Sequence, residues 1–152
     1  MHSPKFVQIS KVTIIILALF LPAIASETGS KEQGISSPAK QVDIKEKWGV
    51  QILGIRLAAG GNMLDFRYRV LDTAKASSFF DRKTRPYLIN QANGTTLLVP
   101  NAHKLGPLRQ TPKTPLADKN YFIFFANPGV VKSGDKVTVV VGDFKAENLV
   151  VQ

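Results

Sequence analysis

The 152-residue sequence contains no cysteine, and its histidines are only two, His2 and His103. Without thiols there can be no disulfide, no thiolate nucleophile and no lipid anchor attached through cysteine. Past the first 25 residues, one histidine and one methionine, Met63, cannot make a blue-copper site, which needs a thiolate and two imidazoles. A nitrogen- and sulfur-ligated zinc site is excluded for the same reason. Carboxylate-rich calcium loops are also missing.

Catalytic patterns are equally scarce. No Gly-x-Ser-x-Gly elbow accompanies His103, and the carboxylates are dispersed, so no pair suggests a general acid and base. Gly60-Gly61 lacks the lysine and helix that follow a phosphate-cradling loop; a hairpin turn accounts for it. Asn93-Gly94-Thr95 matches a glycosylation sequon, but a turn needs the same residues. These absences favour a noncatalytic protein with no cofactor and no metal. The alternative is a metal-handling protein or hydrolase built around His103, with Asp81 or Asp118 beside it.

Long apolar runs are missing too. The longest, Val12 to Leu21, has ten residues, and even Val12 to Ala25 has only 14, against roughly 18 for a spanning helix. Lys5 and Lys11 precede it, and Ala23-Ile24-Ala25 supplies the small residues a signal peptidase reads. Residues 1–25 are therefore expected to be a signal peptide, which places the protein in the periplasm or outside the cell. Cleavage would leave no stable transmembrane span. The competing reading is a membrane tether through an uncleaved N-terminal segment.

Residues 26–47 are polar, with Ser, Gly, Lys and Glu dominant. Such a segment buries too little surface to offset its ordering entropy, so it reads as a flexible, disordered tether. From residue 48 to 152 the pattern becomes that of short strands. Val50 to Leu57 switches apolar phase beside Gly54, the mark of a β-bulge. Met63 to Leu71 alternates, with Leu64, Phe66, Tyr68 and Val70 inward and Asp65, Arg67 and Arg69 outward.

Asp72 is expected to cap a helical turn that Phe79 and Phe80 pin to the core. Pro86 to Gln91 and Thr95 to Val99 flank Asn93-Gly94, a strong hairpin signal because both residues tolerate positive φ. Asn120 to Ala126 is apolar in both phases and reads as a central, doubly covered strand. Lys136 to Val141 and Leu149 to Val151 complete seven or eight strands. The expected fold class is all-β, an antiparallel immunoglobulin-like β-sandwich, with a small barrel as the alternative.

The frame of Trp48-Gly49-Val50, Asp65-Phe66-Arg67-Tyr68, the Tyr121-to-Gly129 run, Gly134-Asp135-Lys136-Val137 and Asn148-Leu149-Val150 resembles small exported bacterial β-sandwich proteins of uncharacterised function. The likeness covers about residues 48–152. It implies fold and export and carries no active site.

What the sequence does have is uneven charge. Leaving out Lys5 and Lys11, 18 of the 20 cations remain against 11 acids, a net charge of +7. Between Asp81 and Asp118 there is no acid, yet this stretch holds Arg82, Lys83, Arg85, Lys104, Arg109 and Lys113. These six are the candidate partner-binding residues. They imply an anionic partner: an acidic protein, an anionic lipid or an acidic envelope polymer. Nucleic acid is not expected, because the loops lack the repeated aromatics that stack bases.

Half of these cations lie in PNAHKLGPLRQTPKTP, residues 100–115. Its four prolines suit a surface loop held out of any sheet ladder, tacked to the core by Leu105 and Leu108. The function expected on these grounds is an exported accessory or binding module of the cell envelope.

Overall fold

The computed structural model describes residues 38–152. The expected signal peptide and residues 26–37 of the expected tether lie outside the described residues. The described chain is all-β in class, built from antiparallel sheets, with two helices and one 3-10 turn among these residues.

Helix α1 (Pro38–Trp48) corrects the tether, whose last ten residues are ordered. Composition alone misses a single anchoring pattern. Ile44 is buried in the main core and Trp48 packs against it four residues later, on the same helix face. The Gln41 side chain also donates from Nε2 to the Ile52 carbonyl at 3.1 Å, and Lys40 pairs with Glu147 at 3.0 Å.

Gly49 ends α1. Its φ of 61° is the left-handed cap conformation, and its N–H donates to Lys45 O at 3.0 Å. A Cβ here would lie 2.7 Å from the Asp72 carbonyl oxygen. That carbonyl sits close because Gly49 O accepts hydrogen bonds from Leu71 N and Asp72 N.

Strands β1 (Val50–Ala58) and β2 (Met63–Val70) pair antiparallel, with the register shift between Ile52 and Gly54 that the phase switch predicts. In β2, Leu64, Phe66, Tyr68 and Val70 face inward as expected. Asp65 does not fit its outward assignment as a solvated residue: it is only 2% exposed. Arg56 from β1 and Arg67 lie over it, and both pair with its Oδ2, at 3.0 and 2.9 Å. Two guanidinium groups thus cover the carboxylate that they neutralise.

Helix α2 (Ser77–Phe80) is one turn. Asp72 caps the turn before it rather than α2 itself, accepting from Ala74 N and Lys75 N. Phe79 is fully buried, with its ring 4.7 Å from Tyr68 and 4.8 Å from Phe144. Phe80 meets Tyr121 edge-on at 5.0 Å. Burying one such phenylalanine stabilises by about 1.5–3 kcal/mol, enough to fix where the following residues start.

The next strands are β3 (Tyr87–Asn90), β4 (Thr96–Leu98), the short hairpin β5 (Asn101–Ala102) and β6 (Gly106–Pro107), then β7 (Asn120–Ala126), β8 (Lys136–Val141) and β9 (Phe144–Val150). The sheets run β1-β2-β7 and β4-β3-β8-β9, and both contribute to one hydrophobic core. The β3–β4 hairpin forms as predicted, though only Gly94, at φ 72°, uses positive φ. Gly94 N and Thr95 O both bond Asn90, the pattern of a turn closed by a glycine bulge.

Two expectations change around β7. In named-strand order it is an edge, not a central strand. Its apolar second phase comes from Phe122 and Phe124, half-buried against each other at 5.1 Å. The stretch expected to avoid every ladder supplies the cover for that edge. Phe124 N donates to Leu108 O at 2.9 Å and Gln110 N to Phe122 O at 3.2 Å. Proline blocks pairing only where it stands, and residues 108–110 contain none. Leu105 is no tack: it sits 81% exposed at the β5–β6 turn.

Among the described residues, no helix is long and apolar enough to cross a membrane.

Candidate anion-binding pocket

Two segments build the site. The first is the turn after α2. Asp81 spends its carboxylate on that turn, accepting from Lys83 N at 2.9 Å and from the Thr84 hydroxyl at 3.3 Å. Arg82 and Arg85 are left exposed, and buried Pro86 leads into β3.

The second segment is the strap 108–110 on the edge of β7. Arg109 forms an antiparallel bridge with Ile123. Directly opposed residues share a sheet face, and Ile123 is fully buried on the inner face. Register therefore sends Arg109 inward at the rim of the core rather than out to solvent. Its Nη2 donates to the Asp81 carbonyl at 2.8 Å, while its Nη1 is buried without a partner among the described residues.

The segments meet around an open cavity of about 330 Å³ lined by Arg82, Arg85 and Arg109. Leu98 and Val99 from the end of β4, with Pro86 and Pro107, supply its apolar walls; Thr84 and Asn101 add polar ones. Among the described residues, no acidic side chain lines it.

The electrostatics follow from that arrangement. Burial lowers the Arg109 pKa from its ordinary value; Tyr68 and Asp81 oppose the shift, and Arg85 adds to it. Arginine nevertheless stays charged in proteins. Tyr68 is raised, chiefly by burial, and its hydroxyl has no hydrogen-bond partner among the described residues. A desolvated cation, a like-charged neighbour and an unpartnered phenol thus stand together. An anion would relieve the repulsion and accept from the guanidinium groups.

Of the six candidate residues, three converge and three do not. Arg82, Arg85 and Arg109 share the cavity. Lys83, Lys104 and Lys113 are exposed outside its lining, on the Asp81 turn, near the β5–β6 tip and beyond the strap. Tyr68 reads from the sequence only as core. Its one signal is a phenol at an inward strand position, where the hydroxyl needs a partner.

The alternative reading centres on His103. His103 is exposed, and among the described residues no three His, Asp or Glu side chains group as a metal site. Of its two expected companions, Asp81 has its carboxylate engaged within its own turn, and Asp118 is exposed in the loop before β7.

The chain matches no protein-family profile, no curated protein and no solved structure.

Proposed function

We propose that the protein is a noncatalytic accessory module of the cell envelope, periplasmic or secreted, whose arginine pocket receives an anionic group of a partner. The observation that carries this reading is the convergence of Arg82, Arg85 and Arg109, from two separate segments, on one cavity without an acidic wall among the described residues. Arginine suits the task because its planar fork donates two parallel hydrogen bonds to a carboxylate or phosphate. The two antiparallel sheets sharing one core fit an immunoglobulin-like sandwich, and the N-terminal sequence fits export by a cleaved signal peptide.

The test is retention of envelope components on the tagged protein at low and high salt. Arg82→Glu with Arg85→Glu should abolish the salt-sensitive fraction. Unchanged retention in that variant and at high salt would reject the pocket as the docking point.

A further inference from the structure

Resting on the reading of the pocket as an anion site, we infer that its occupant is an acidic side chain carried on an extended peptide, which pairs with the open edge of β4. The backbone register supplies the first argument. Asn90 N donates to Thr95 O at 2.9 Å. Hydrogen-bonded and non-bonded pairs alternate along an antiparallel ladder. Leu88↔Leu97 is therefore a bonded pair, and Ile89↔Thr96 and Tyr87↔Leu98 are non-bonded ones. The N–H and C=O groups of Thr96 and Leu98 consequently point away from β3.

Two other edges of the fold are already occupied. The strap 108–110 covers β7. Along β1, Leu57 N donates to Gln152 O and Gln152 N to Ile55 O, at 2.9 and 3.0 Å, so the tail after β9 closes that side. β4 ends its sheet, and among the described residues no strand pairs with its outer side, although β7 lies near it and Leu108 N donates to Pro100 O just beyond it. Natural edges are usually blunted by short length, charge, proline or a bulge. Thr96-Leu97-Leu98 has three residues, and it carries neither charge nor proline.

Position and charge select the occupant. Leu98 is 62% exposed and lines the same cavity as the three arginines. A strand added beside Leu98 therefore runs past the guanidinium groups. At about 330 Å³ the cavity is at the small end for an organic ligand but roomy for one or two carboxylate side chains. Side chains two positions apart on a strand share a face, so acids at alternate positions can both reach the cations. A lipid headgroup would use the arginines and leave the edge unpaired.

The experiment titrates the full chain with three probes: a short peptide alternating Glu with Val or Thr, the same peptide N-methylated on alternate amides, and inorganic phosphate. The parent peptide should bind, perturbing the amides of Thr96 and Leu98 as well as residues 82–86. N-methylation keeps the charge but removes strand pairing, and should weaken binding by about tenfold. Thr96→Pro, which deletes one outward donor outside the cavity lining, should weaken the parent peptide and spare phosphate.

Equal binding of the parent and methylated peptides would overturn the strand pairing while leaving the anion pocket intact. Failure of both peptides and of phosphate would overturn the pocket itself. Binding to anionic phospholipid vesicles that the parent peptide does not displace would identify a lipid as the occupant and reject the peptide.

Discussion

Arg109 reaches back across 28 positions of chain and donates from Nη2 to the carbonyl of Asp81 at 2.8 Å. That bond joins the two basic segments. It also uses one face of the guanidinium for structure, leaving the group aligned at the rim of the cavity.

Arg109→Lys keeps the charge but has no planar fork, so it cannot hold the Asp81 carbonyl and grip an anion together. Anion affinity should fall by about tenfold, read by calorimetry with phosphate or an acidic peptide. Lys83→Ala, which removes an equal charge outside the cavity lining, should change affinity less than about twofold. A loss at Lys83 as large as that at Arg109 would mean that diffuse charge, not the pocket, attracts the ligand.

Tyr68 is fully buried, and its hydroxyl is unpartnered among the described residues. Leaving such a group unsatisfied costs about 1–3 kcal/mol. Tyr68→Phe should therefore raise stability by about 1 kcal/mol in denaturant unfolding, with its ring contacts to Phe66, Phe79 and Tyr121 retained. Destabilisation would show instead that the hydroxyl is bonded in solution, through water, to a group such as Arg109.

Gly49→Ala should destabilise by at least about 2 kcal/mol, since it combines a left-handed φ with a Cβ set against the Asp72 backbone. Loss of the tight Gly49–Asp72 approach should free α1 first. Amide exchange in residues 40–48 should accelerate more than in β2. Uniform acceleration would indicate that α1 and the sheets unfold together.

Glu147 receives Lys145 at 2.7 Å and Lys40 at 3.0 Å. Hydrogen bonds from Lys145 and then Lys40, with their charges, pull its pKa down to about 2 from the ordinary 4.5. A depressed carboxylate contributes stability that is complete above the ordinary value and lost as pH falls through the folded one. The tie from Glu147 to α1 should accordingly persist above the ordinary value and fade between pH 4.5 and 2. Protection of α1 amides, relative to their intrinsic exchange rate at each pH, should fall over that window in the native protein and fall less in Glu147→Gln. Salt should shrink the difference, because the pair is solvent-exposed.

The strands are readable in the sequence because alternation in Met63 to Leu71 and the Asn93-Gly94 turn are local signals. Asp65 breaks the alternation because its burial depends on Arg56 from another strand, a contact no local period encodes. The helix at Pro38–Trp48 is hidden for a similar reason: Ile44 and Trp48 are too few to show a period until the core they join exists.

In the site, the acid-free stretch contains the three arginines that converge and also three lysines that lie elsewhere. Charge is visible in sequence, but its direction is not. Arg109 turns inward only because residues 108–110 bridge to β7 opposite Ile123. Lys104 and Lys113, equally cationic, have no such register. The open edge of β4 is likewise invisible, since an edge is defined by which strand fails to arrive.

The most direct test of the pocket is backbone NMR of the protein titrated with inorganic phosphate at low and high salt. An anion seated among the three arginines should give saturable shifts confined to residues 82–86, 98–101 and 107–109. Those shifts should weaken with salt and be absent from Arg82→Glu with Arg85→Glu. Shifts spread evenly over exposed lysines, or no shifts at all, would contradict the pocket.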